Sequence, residues 1–184
     1  NYFDIPIQHI SDSVLKSMRR GNSKKNIINL IENIRAKVPN AFIRSTLIVG
    51  YPTETEKDFE ELIQFLNDYE LERIGVFTYS SEDGTYAFNL GDPIPEATKN
   101  YRLQEIMKVQ SKISLKKNKM LVGKELNVLV DDKTNGLYVC RTEFDAPEVD
   151  NLVYLKAESK ISIGDFVNVE IVKAKTYDLF ARSK

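Results

Sequence analysis

The sequence predicts an α/β region followed by an all-β region, with the change near Val122. In residues 1–121, apolar strand-like runs alternate with amphipathic helical runs. In residues 122–184, short β-branched and aromatic runs are separated by turn signals such as Asn135-Gly136. The chain has 184 residues and is 42% hydrophobic, which is enough to bury one good core or two small ones. We therefore expect two domains, 1–121 and 122–184.

The first three elements are predicted to be a short strand and two helices. An apolar run over residues 2–7 predicts the strand. Ser11 or Asp12 caps the first helix, which we expect to stop at Gly21, because glycine readily adopts the left-handed conformation that ends helices. Ser23 is the predicted cap of the second helix. One face of that helix carries the apolar residues Ile27, Ile31, Ile34 and Val38.

The next strand and helix meet in the segment RSTLIVGYPTETEKDFEEL, residues 44–62. Its apolar run ends at Gly50 and Pro52, and the stretch Thr55 to Asp58 predicts a capping box that starts a helix. Ligands of α/β proteins bind at the carboxyl ends of such strands, and a glycine there lets a ligand approach the backbone closely. An ordinary βα turn without a ligand is the alternative.

The rest of the first region and the whole second region follow the same patterns. Residues 74–79 read as a strand, a loop follows, and residues 96–120 read as a long basic helix. The βα alternation predicts parallel strands with right-handed crossovers, in an open sheet or part of a barrel. After Val122, four or five short strands in about 60 residues predict a small antiparallel β-barrel.

Composition excludes several classes of function. The formal net charge is −1 with no long block of one sign, so nothing global indicates binding to nucleic acid or to an anionic membrane. One cysteine, Cys140, and one histidine, His9, supply neither an intramolecular disulfide nor a soft metal-ligand set. No apolar run approaches the roughly 18 residues of a membrane span, so we expect a cytoplasmic protein. The chain begins at Asn1 inside an apolar-rich run, which we interpret as a fragment.

Polar side chains follow three predicted strands at the points where the strands end. These are Gln8 and His9, then Arg44 and Thr46 with Gly50 and Glu54, then Thr78 and Tyr79. If the strands are parallel neighbours, the three ends converge on one rim that can hydrogen-bond a small ligand. Arg44 suits a carboxylate, because its planar fork binds both oxygens, although a structural ion pair deep in the fold is the alternative.

His9, Cys140 and a cluster of basic residues can each be interpreted in structural or in functional terms. His9 is either an acid/base group or a structural hydrogen-bonding residue, and the second is the commoner role of a lone histidine. Cys140 lies in an apolar strand, which predicts a buried inert thiol. A basic cluster is expected to be solvated helix surface and only weakly a phosphate site. Its members are Lys16, Arg19, Arg20, Lys24 and Lys25.

Three strings, in this order and spacing, resemble the second half of the radical S-adenosylmethionine core of the methylthiotransferase family. They are YFDIPIQHISDSVLKSMRRG, TLIVGYPTETEKDFEEL and GVFTYSSEDGTYAFNL, which cover most of residues 1–95. The second region resembles the TRAM domain that follows this core. The resemblance implies the C-terminal half of a partial TIM barrel, a TRAM-like barrel, and a methylthiotransferase that uses S-adenosylmethionine and [4Fe–4S] clusters. The cluster cysteines are outside this chain, so the piece alone is expected to be inactive.

The resemblance also implies roles for the polar strand ends. Gln8 and His9 are expected at the methionine or ribose part of the cofactor. Arg44 is expected at its carboxylate, Ile48 faces adenine, and Thr46, Gly50 and Glu54 belong to the same strand-end region. Thr78 and Tyr79 are expected to read the adenine edge through their backbone.

The string CRTEFDAPEVDNLVYL resembles the branch of the family that modifies an aspartate on small-subunit ribosomal protein twelve. The resemblance implies that substrate contacts come from Arg141, Asp145, Glu148 and Asp150. Residues 122–184 contain 9 Lys and Arg against 11 Asp and Glu, a net of −2, which suits a basic protein partner better than RNA. We expect that ribosomal protein, with or without the ribosome, as partner, and no membrane.

Three alternatives stay open at this point. The first is a tRNA methylthiotransferase of the same family. The second is a non-enzymatic module whose barrel docks a protein or RNA. The third is a sugar- or nucleotide-binding α/β enzyme outside the family, which would need a phosphate loop, and the sequence has no Gly-rich loop.

Overall fold

The computed structural model describes residues 1–156 and 160–183. The chain divides into two compact units, one formed by Phe3–Gln110 and the other by Asn1–Tyr2 with Ser111–Lys184. The first unit is α/β and the second is a closed β-barrel, as the sequence predicts. The division falls inside a long helix, and the boundary after residue 121 stays a prediction. No helix in the described ranges is both long and apolar enough to cross a membrane.

The α/β elements follow the predicted order. They are β1 Tyr2–Asp4, α1 Asp12–Ser17, α2 Lys24–Lys37, β2 Phe42–Val49, α3 Glu56–Tyr69, β3 Arg73–Thr78, a 3₁₀ turn Ala87–Leu90 and α4 Glu96–Lys119. The strands form a sheet in the order β1-β2-β3, and β2 and β3 are parallel. β1 is shorter than predicted because Pro6 has no backbone N–H to donate to the neighbouring strand. Pairing with β2 resumes at Gln8, which forms an isolated parallel bridge with Leu47.

Strict alternation along β2 places one face of the sheet in the core. Ile43, Leu47 and Val49 are buried, whereas Arg44 and Thr46 on the opposite face are half-buried. The buried face packs against apolar side chains of the helices. These are Leu15 of α1, Ile27 and Ile31 of α2, Phe59, Leu62, Phe65 and Leu66 of α3, and Ile106 of α4. The three strand ends are thereby held as one rigid edge.

All three predicted helices start where the sequence indicates, and two of the starts have the predicted side-chain cap. Thr55 and Asp58 form a reciprocal capping box at α3, and the Ser23 hydroxyl accepts a hydrogen bond from the backbone of α2. Ser11 precedes α1 but does not cap it, because its hydroxyl donates to Asp58 instead. The predicted stop of α1 at Gly21 is wrong, since the left-handed residue is Arg19, at φ 55°.

Within residues 122–156 and 160–183, the barrel contains five strands. They are β4 Glu125–Thr134, β5 Leu137–Thr142, β6 Val153–Lys156, β7 Phe166–Ala174 and β8 Leu179–Ser183. The closed order is β4-β5-β6-β8-β7, and every neighbouring pair is antiparallel except β6 with β8, which is parallel. Asn135 and Gly136 both have positive φ, at 49° and 79°, which is the backbone of a tight hairpin turn between β4 and β5.

Cys140 lies among the apolar side chains that fill the barrel. Its side chain is fully buried, with Val130 and Val153 as its cross-strand neighbours. Burial raises the pKa of this thiol to about 11, with a smaller contribution from the charge of Asp131. The predicted burial of this thiol is confirmed, and its inertness stays a prediction.

Candidate functional site

A pocket of about 460 Å³, here called the strand-end pocket, opens where the three strands of the α/β unit end. Its volume falls in the range of about 300–1,000 Å³ that is usual for small-molecule sites. It is lined by Gln8, Ser17, Met18, Arg20, Ile48, Tyr51, Phe77, Thr78, Tyr79, Ser80, Glu82, Thr85, Tyr86 and Ala87. Four of the nine residues predicted to bind a cofactor therefore line one pocket, namely Gln8, Ile48, Thr78 and Tyr79.

Both the backbone N–H and the backbone carbonyl of Gln8 are hydrogen-bonded to β2. Its N–H donates to the Thr46 carbonyl at 2.9 Å, and its own carbonyl accepts from the N–H of Ile48 at 2.8 Å. The backbone is left-handed, at φ 68°, which is unfavourable for a residue with a side chain and is common at binding sites. The side-chain oxygen Oε1 is buried and has no hydrogen-bond partner among the described residues. It is an acceptor that a ligand can satisfy.

Tyr79 follows β3 and lines the same pocket. Its N–H donates to the Val49 carbonyl at 2.8 Å, and its ring meets Tyr51 edge to face, with centroids 5.3 Å apart. The phenolic oxygen is buried and, within the described chain, has no hydrogen-bond partner. Among the described residues, seven buried side-chain polar atoms have no hydrogen-bond partner, and two of them belong to residues that line this pocket.

His9 and Glu54 lie beneath this edge and do not line the pocket. Nδ1 of His9 accepts from the N–H of Ser11 at 3.0 Å, so in the neutral ring Nε2 carries the proton, 3.5 Å from Oε1 of Glu54. The other carboxylate oxygen of Glu54 accepts from the N–H of Gly50 and lies 3.2 Å from Nη1 of Arg102. The contacts of Glu54 with His9, Gly50 and Arg102 hold the turn between β2 and α3 in place.

Arg44 and Thr46 lie on the half-buried face of the sheet and do not line the pocket either. Nη1 of Arg44 is 3.2 Å from Oδ2 of Asp4, which is the ion pair that the sequence left as the alternative to a carboxylate site. Gly50 is left-handed, at φ 74°, and the space beside it is filled by the Lys99 side chain rather than open to a ligand. Packing against Lys99 is therefore a sufficient reason for a glycine at this position, and a close approach of a ligand stays a prediction.

Several pocket residues were not singled out as site residues from the sequence. Tyr51 stands directly after Gly50, so its position in a strand-end turn was an available signal. Arg20 belongs to the basic cluster that was expected to be solvated surface, and Tyr86 comes from the loop after β3. Long-range packing brings Tyr86 and Arg20 to the pocket, and no local spacing indicates it.

The barrel carries a second concavity of about 490 Å³, here called the barrel groove, lined by Asn127, Leu129, Arg141, Thr142, Glu143 and Phe166. Arg141 is the one predicted substrate residue that lines it, with Nε 3.0 Å from Oδ2 of Asp131. Phe166 is 72% exposed there. An exposed aromatic ring beside charged groups suits a peptide better than a small ligand.

The other predicted substrate residues lie in the turn after β5. Asp145 is buried and accepts from the Thr142 hydroxyl at 2.6 Å. Asp150 accepts from the N–H of Ala146 at 2.9 Å and so closes the same turn. Glu148 is exposed, with a left-handed backbone at φ 63°.

The described residues contain no group of three His, Cys, Asp or Glu side chains that could hold a metal ion. The barrel's buried cysteine is not available as a cluster ligand either, because the thiolate form that binds iron is disfavoured there. The strand-end pocket fits an organic ligand with donor and acceptor groups. The described part of the chain does not itself form an iron–sulfur site.

Comparison with known proteins gives two matches to family profiles. Residues 1–66 match the Radical SAM superfamily, and residues 122–183 match the TRAM domain. The first match includes β1 and β2 with Gln8 and Gly50. The second covers the closed barrel.

Curated relatives match almost the whole chain. It is 47% identical over 184 residues to the ribosomal protein uS12 methylthiotransferase RimO of Aquifex aeolicus strain VF5, which covers 98% of this chain and 43% of that protein. The protein of the same name from Flavobacterium johnsoniae is 46% identical over 181 residues, which covers 98% of this chain and 41% of that protein. The one from Alkaliphilus oremlandii is 47% identical over 183 residues, which covers 98% of this chain and 42% of that protein. The chain thus spans about two fifths of the length of the curated relatives it matches.

Proposed function

This chain belongs to the radical S-adenosylmethionine methylthiotransferase family, and from that premise we propose that it is the cofactor- and substrate-binding part of an enzyme that methylthiolates a ribosomal protein. The proposed substrate is an aspartate of small-subunit ribosomal protein uS12, free or on the ribosome in the cytoplasm. We further propose that residues 1–121 belong to the radical core and residues 122–184 to the TRAM-like barrel.

One observation carries the proposal. Gln8 and Tyr79 follow two parallel strands that flank β2, both residues line the strand-end pocket, and each has a buried polar atom without a described partner. S-adenosylmethionine has an adenine, a ribose and an amino acid part, each with hydrogen-bonding groups, and an apolar edge that Ile48 and Tyr51 can cover. The strand-end pocket therefore suits this cofactor.

The contributions of the residues differ. Gln8 and Tyr79 would hold the polar groups of the cofactor, whereas Ile48 would pack against its adenine. His9 and Glu54 would act through the turn that they fix, as positioning residues. When bound to S-adenosylmethionine, a [4Fe–4S] cluster would supply the electron that generates a 5′-deoxyadenosyl radical, and its ligands would come from outside this chain.

The substrate would contact the barrel through the groove beside Arg141 and Phe166. Arg141 and Glu148 keep charged groups at the surface, and the barrel region has a net charge of −2. Acidic surfaces favour encounter with basic proteins and disfavour phosphate backbones. This balance supports a ribosomal protein over tRNA as the substrate.

The proposal is tested on the complete protein after anaerobic reconstitution with iron and sulfide, with dithionite as reductant. We expect uS12 to gain a methylthio group, detected by intact mass and located on an aspartate by fragmentation. Transfer RNA from the same reaction is digested and analysed in parallel. An unchanged uS12 mass together with a methylthiolated adenosine would overturn the choice of substrate, and no cleavage of S-adenosylmethionine would overturn the reaction class.

A Tyr79→Phe variant distinguishes an effect on cofactor affinity from an effect on the free energy of unfolding. Because the Tyr79 hydroxyl has no described partner, its removal should leave the free energy of unfolding unchanged within about 1 kcal/mol. The dissociation constant for S-adenosylmethionine should rise by roughly fivefold or more, corresponding to one lost hydrogen bond. Unchanged affinity would exclude this hydroxyl from the site.

A further inference from the structure

Lys99, in the first turn of α4, is a lysine whose side chain is enclosed by the α/β unit. Only 2% of the side chain is exposed, and lysines are seldom buried to this extent unless their charge is paired. Its Nζ donates to Oδ2 of Asp92 at 2.6 Å and lies 3.7 Å from Oε2 of Glu96. The ammonium group therefore has its counter-ions in the segment that leads into α4.

The same ammonium group also contacts Tyr79, at the end of β3. Nζ donates to the Tyr79 carbonyl at 3.1 Å and lies 5.5 Å from the centroid of the Tyr79 ring. The N–H of Tyr79 donates to the Val49 carbonyl at 2.8 Å. Both backbone polar groups of Tyr79 thus have partners inside the protein. Among the described residues, the phenolic hydroxyl is the polar group of Tyr79 that still lacks a partner.

The methylene part of Lys99 fixes the path of the side chain. It lies against Gly50, where a Cβ would overlap Cγ of Lys99. Gly50 follows β2 and Tyr79 follows β3, so the side chain runs from α4 past the first strand end to the second. Because close packing leaves a buried side chain few alternative rotamers, the ammonium group is held at one position beside Tyr79.

The contacts of Lys99 bear on the strand-end pocket through Tyr79, which lines the pocket, whereas Lys99 does not. A group that is already held in place binds a ligand more tightly than a mobile one, because less conformational entropy is lost on binding. We propose that Lys99 is a positioning residue for the cofactor, since its ammonium group holds the backbone and ring of Tyr79 and so presents the phenolic hydroxyl to S-adenosylmethionine. The inference rests on the proposed function and extends it to a residue of α4.

A residue that acts through another one can be recognised in a double-mutant cycle. If Lys99 acts through the Tyr79 hydroxyl, removal of its ammonium group has no further effect on cofactor affinity once that hydroxyl is absent. If Lys99 only stabilises the fold, its removal weakens binding by the same factor with or without the hydroxyl. The cycle therefore separates a positioning role from a purely structural one.

The experiment measures the dissociation constant for S-adenosylmethionine on the complete reconstituted protein, by calorimetry. The proteins compared are the wild type, Lys99→Met, Tyr79→Phe and the double variant. Methionine keeps most of the apolar stem beside Gly50 and removes the ammonium group. Lys99→Met should raise the dissociation constant by about fivefold in the wild-type background, as for one lost hydrogen bond, and by less than about twofold in the Tyr79→Phe background.

Two further variants complete the experiment. Lys99→Gln also lacks the ammonium group and should give the same pattern, and the cycle is built with it if urea denaturation shows that Lys99→Met is unfolded. Glu96→Gln is the matched control, because Glu96 is exposed and is the more distant partner of Nζ. It should change the dissociation constant by less than about twofold in either background.

Three results would overturn the inference. Removal of the ammonium group could weaken binding equally in both Tyr79 backgrounds, it could leave the affinity of the wild type unchanged, or Tyr79→Phe itself could have no effect on affinity. In each case the wild type still binds S-adenosylmethionine, as the proposed function requires. A wild-type protein that binds no S-adenosylmethionine would overturn the proposed function, and this inference with it.

Discussion

The Lys99 side chain fills the space beside Gly50, so that a Cβ at Gly50 would overlap Cγ of Lys99. Lys99 is 2% exposed, and its ammonium group donates to Asp92 at 2.6 Å and to the Tyr79 carbonyl at 3.1 Å. The glycine of the strand-end turn is thus required by packing inside the protein. The same lysine holds the backbone of a residue that lines the pocket.

Gly50→Ala should be among the more destabilising substitutions in the α/β unit. The new methyl group meets a buried side chain and the residue keeps φ at 74°, so we expect a loss of about 3–5 kcal/mol in the free energy of unfolding, measured with urea. Gly84→Ala is the matched control, since φ is 78° but nothing lies within 4 Å. It should cost only about 1 kcal/mol. Equal losses would show that the contact with Lys99 is unimportant.

Glu54→Gln should destabilise the turn through loss of charge at nearly constant shape. Arg102 would keep its buried guanidinium without the buried partner, at an expected cost of about 3 kcal/mol. Glu56 contacts the same guanidinium at 3.1 Å but is exposed, so Glu56→Gln should cost less than about 1 kcal/mol. Urea denaturation of both variants measures the difference. A larger loss for Glu56→Gln would contradict this assignment.

Asp58 should make stability depend on acid pH. Burial alone would raise the pKa of this carboxyl, but hydrogen bonds from Ser11, Thr55 and Ser13 outweigh it and lower the pKa from 3.8 to about 2. The folded pKa is depressed, so the stabilisation is fully present above the unfolded pKa and is lost as pH falls from about 4 to 2. Asp58→Asn should cost about 1 kcal/mol at neutral pH, after allowance for solvent screening, and progressively less toward pH 2.

The readout is the difference in unfolding free energy between wild type and Asp58→Asn, measured with urea at several pH values. Ser13→Ala removes one of the donors, at 2.9 Å, and should reduce the pH dependence without abolishing it. A difference that stays constant from neutral pH to pH 2 would show that the carboxylate is not held in this way.

Cys140 should resist alkylation as long as the barrel is folded. Its thiol is fully buried with a pKa raised to about 11, so iodoacetamide at pH 8 meets almost no accessible thiolate. In urea the same cysteine should react at the rate of a free thiol. Mass spectrometry over time measures both rates, and rapid labelling without urea would mean that the barrel opens readily.

The features that the sequence predicts correctly depend on neighbours along the chain. Thr55 and Asp58 lie three residues apart, and their reciprocal hydrogen bonds follow from the geometry of any helix start. Asn135-Gly136 sets a hairpin by its own backbone preferences. Alternating and helical apolar patterns likewise determine which faces are buried, so the α/β order and a small barrel of four or five strands follow from local information. The parallel pairing of β6 with β8 differs from the predicted antiparallel barrel.

The features that the sequence does not predict depend on distant partners. The sequence indicates that Arg44 is available for a ligand, but β1 places Asp4 within 3.2 Å of its guanidinium. The sequence indicates free space beside Gly50, but α4 places the Lys99 side chain there. Arg20 is exposed, as expected for the basic cluster, but the end of α1 also places it in the lining of the strand-end pocket, which the sequence does not indicate. In each case the deciding contact joins residues whose spacing in the chain carries no signal.

The turn after β5 gives two of the predicted substrate residues a structural role. Asp145 and Asp150 are bonded to Thr142 and to the backbone of Ala146, so the folding of the hairpin alone is a sufficient reason for these two carboxylates. Arg141 is paired with Asp131 across β4 and β5, whereas Glu148 is exposed. A change of charge at Glu148 therefore leaves these hydrogen bonds of the hairpin in place.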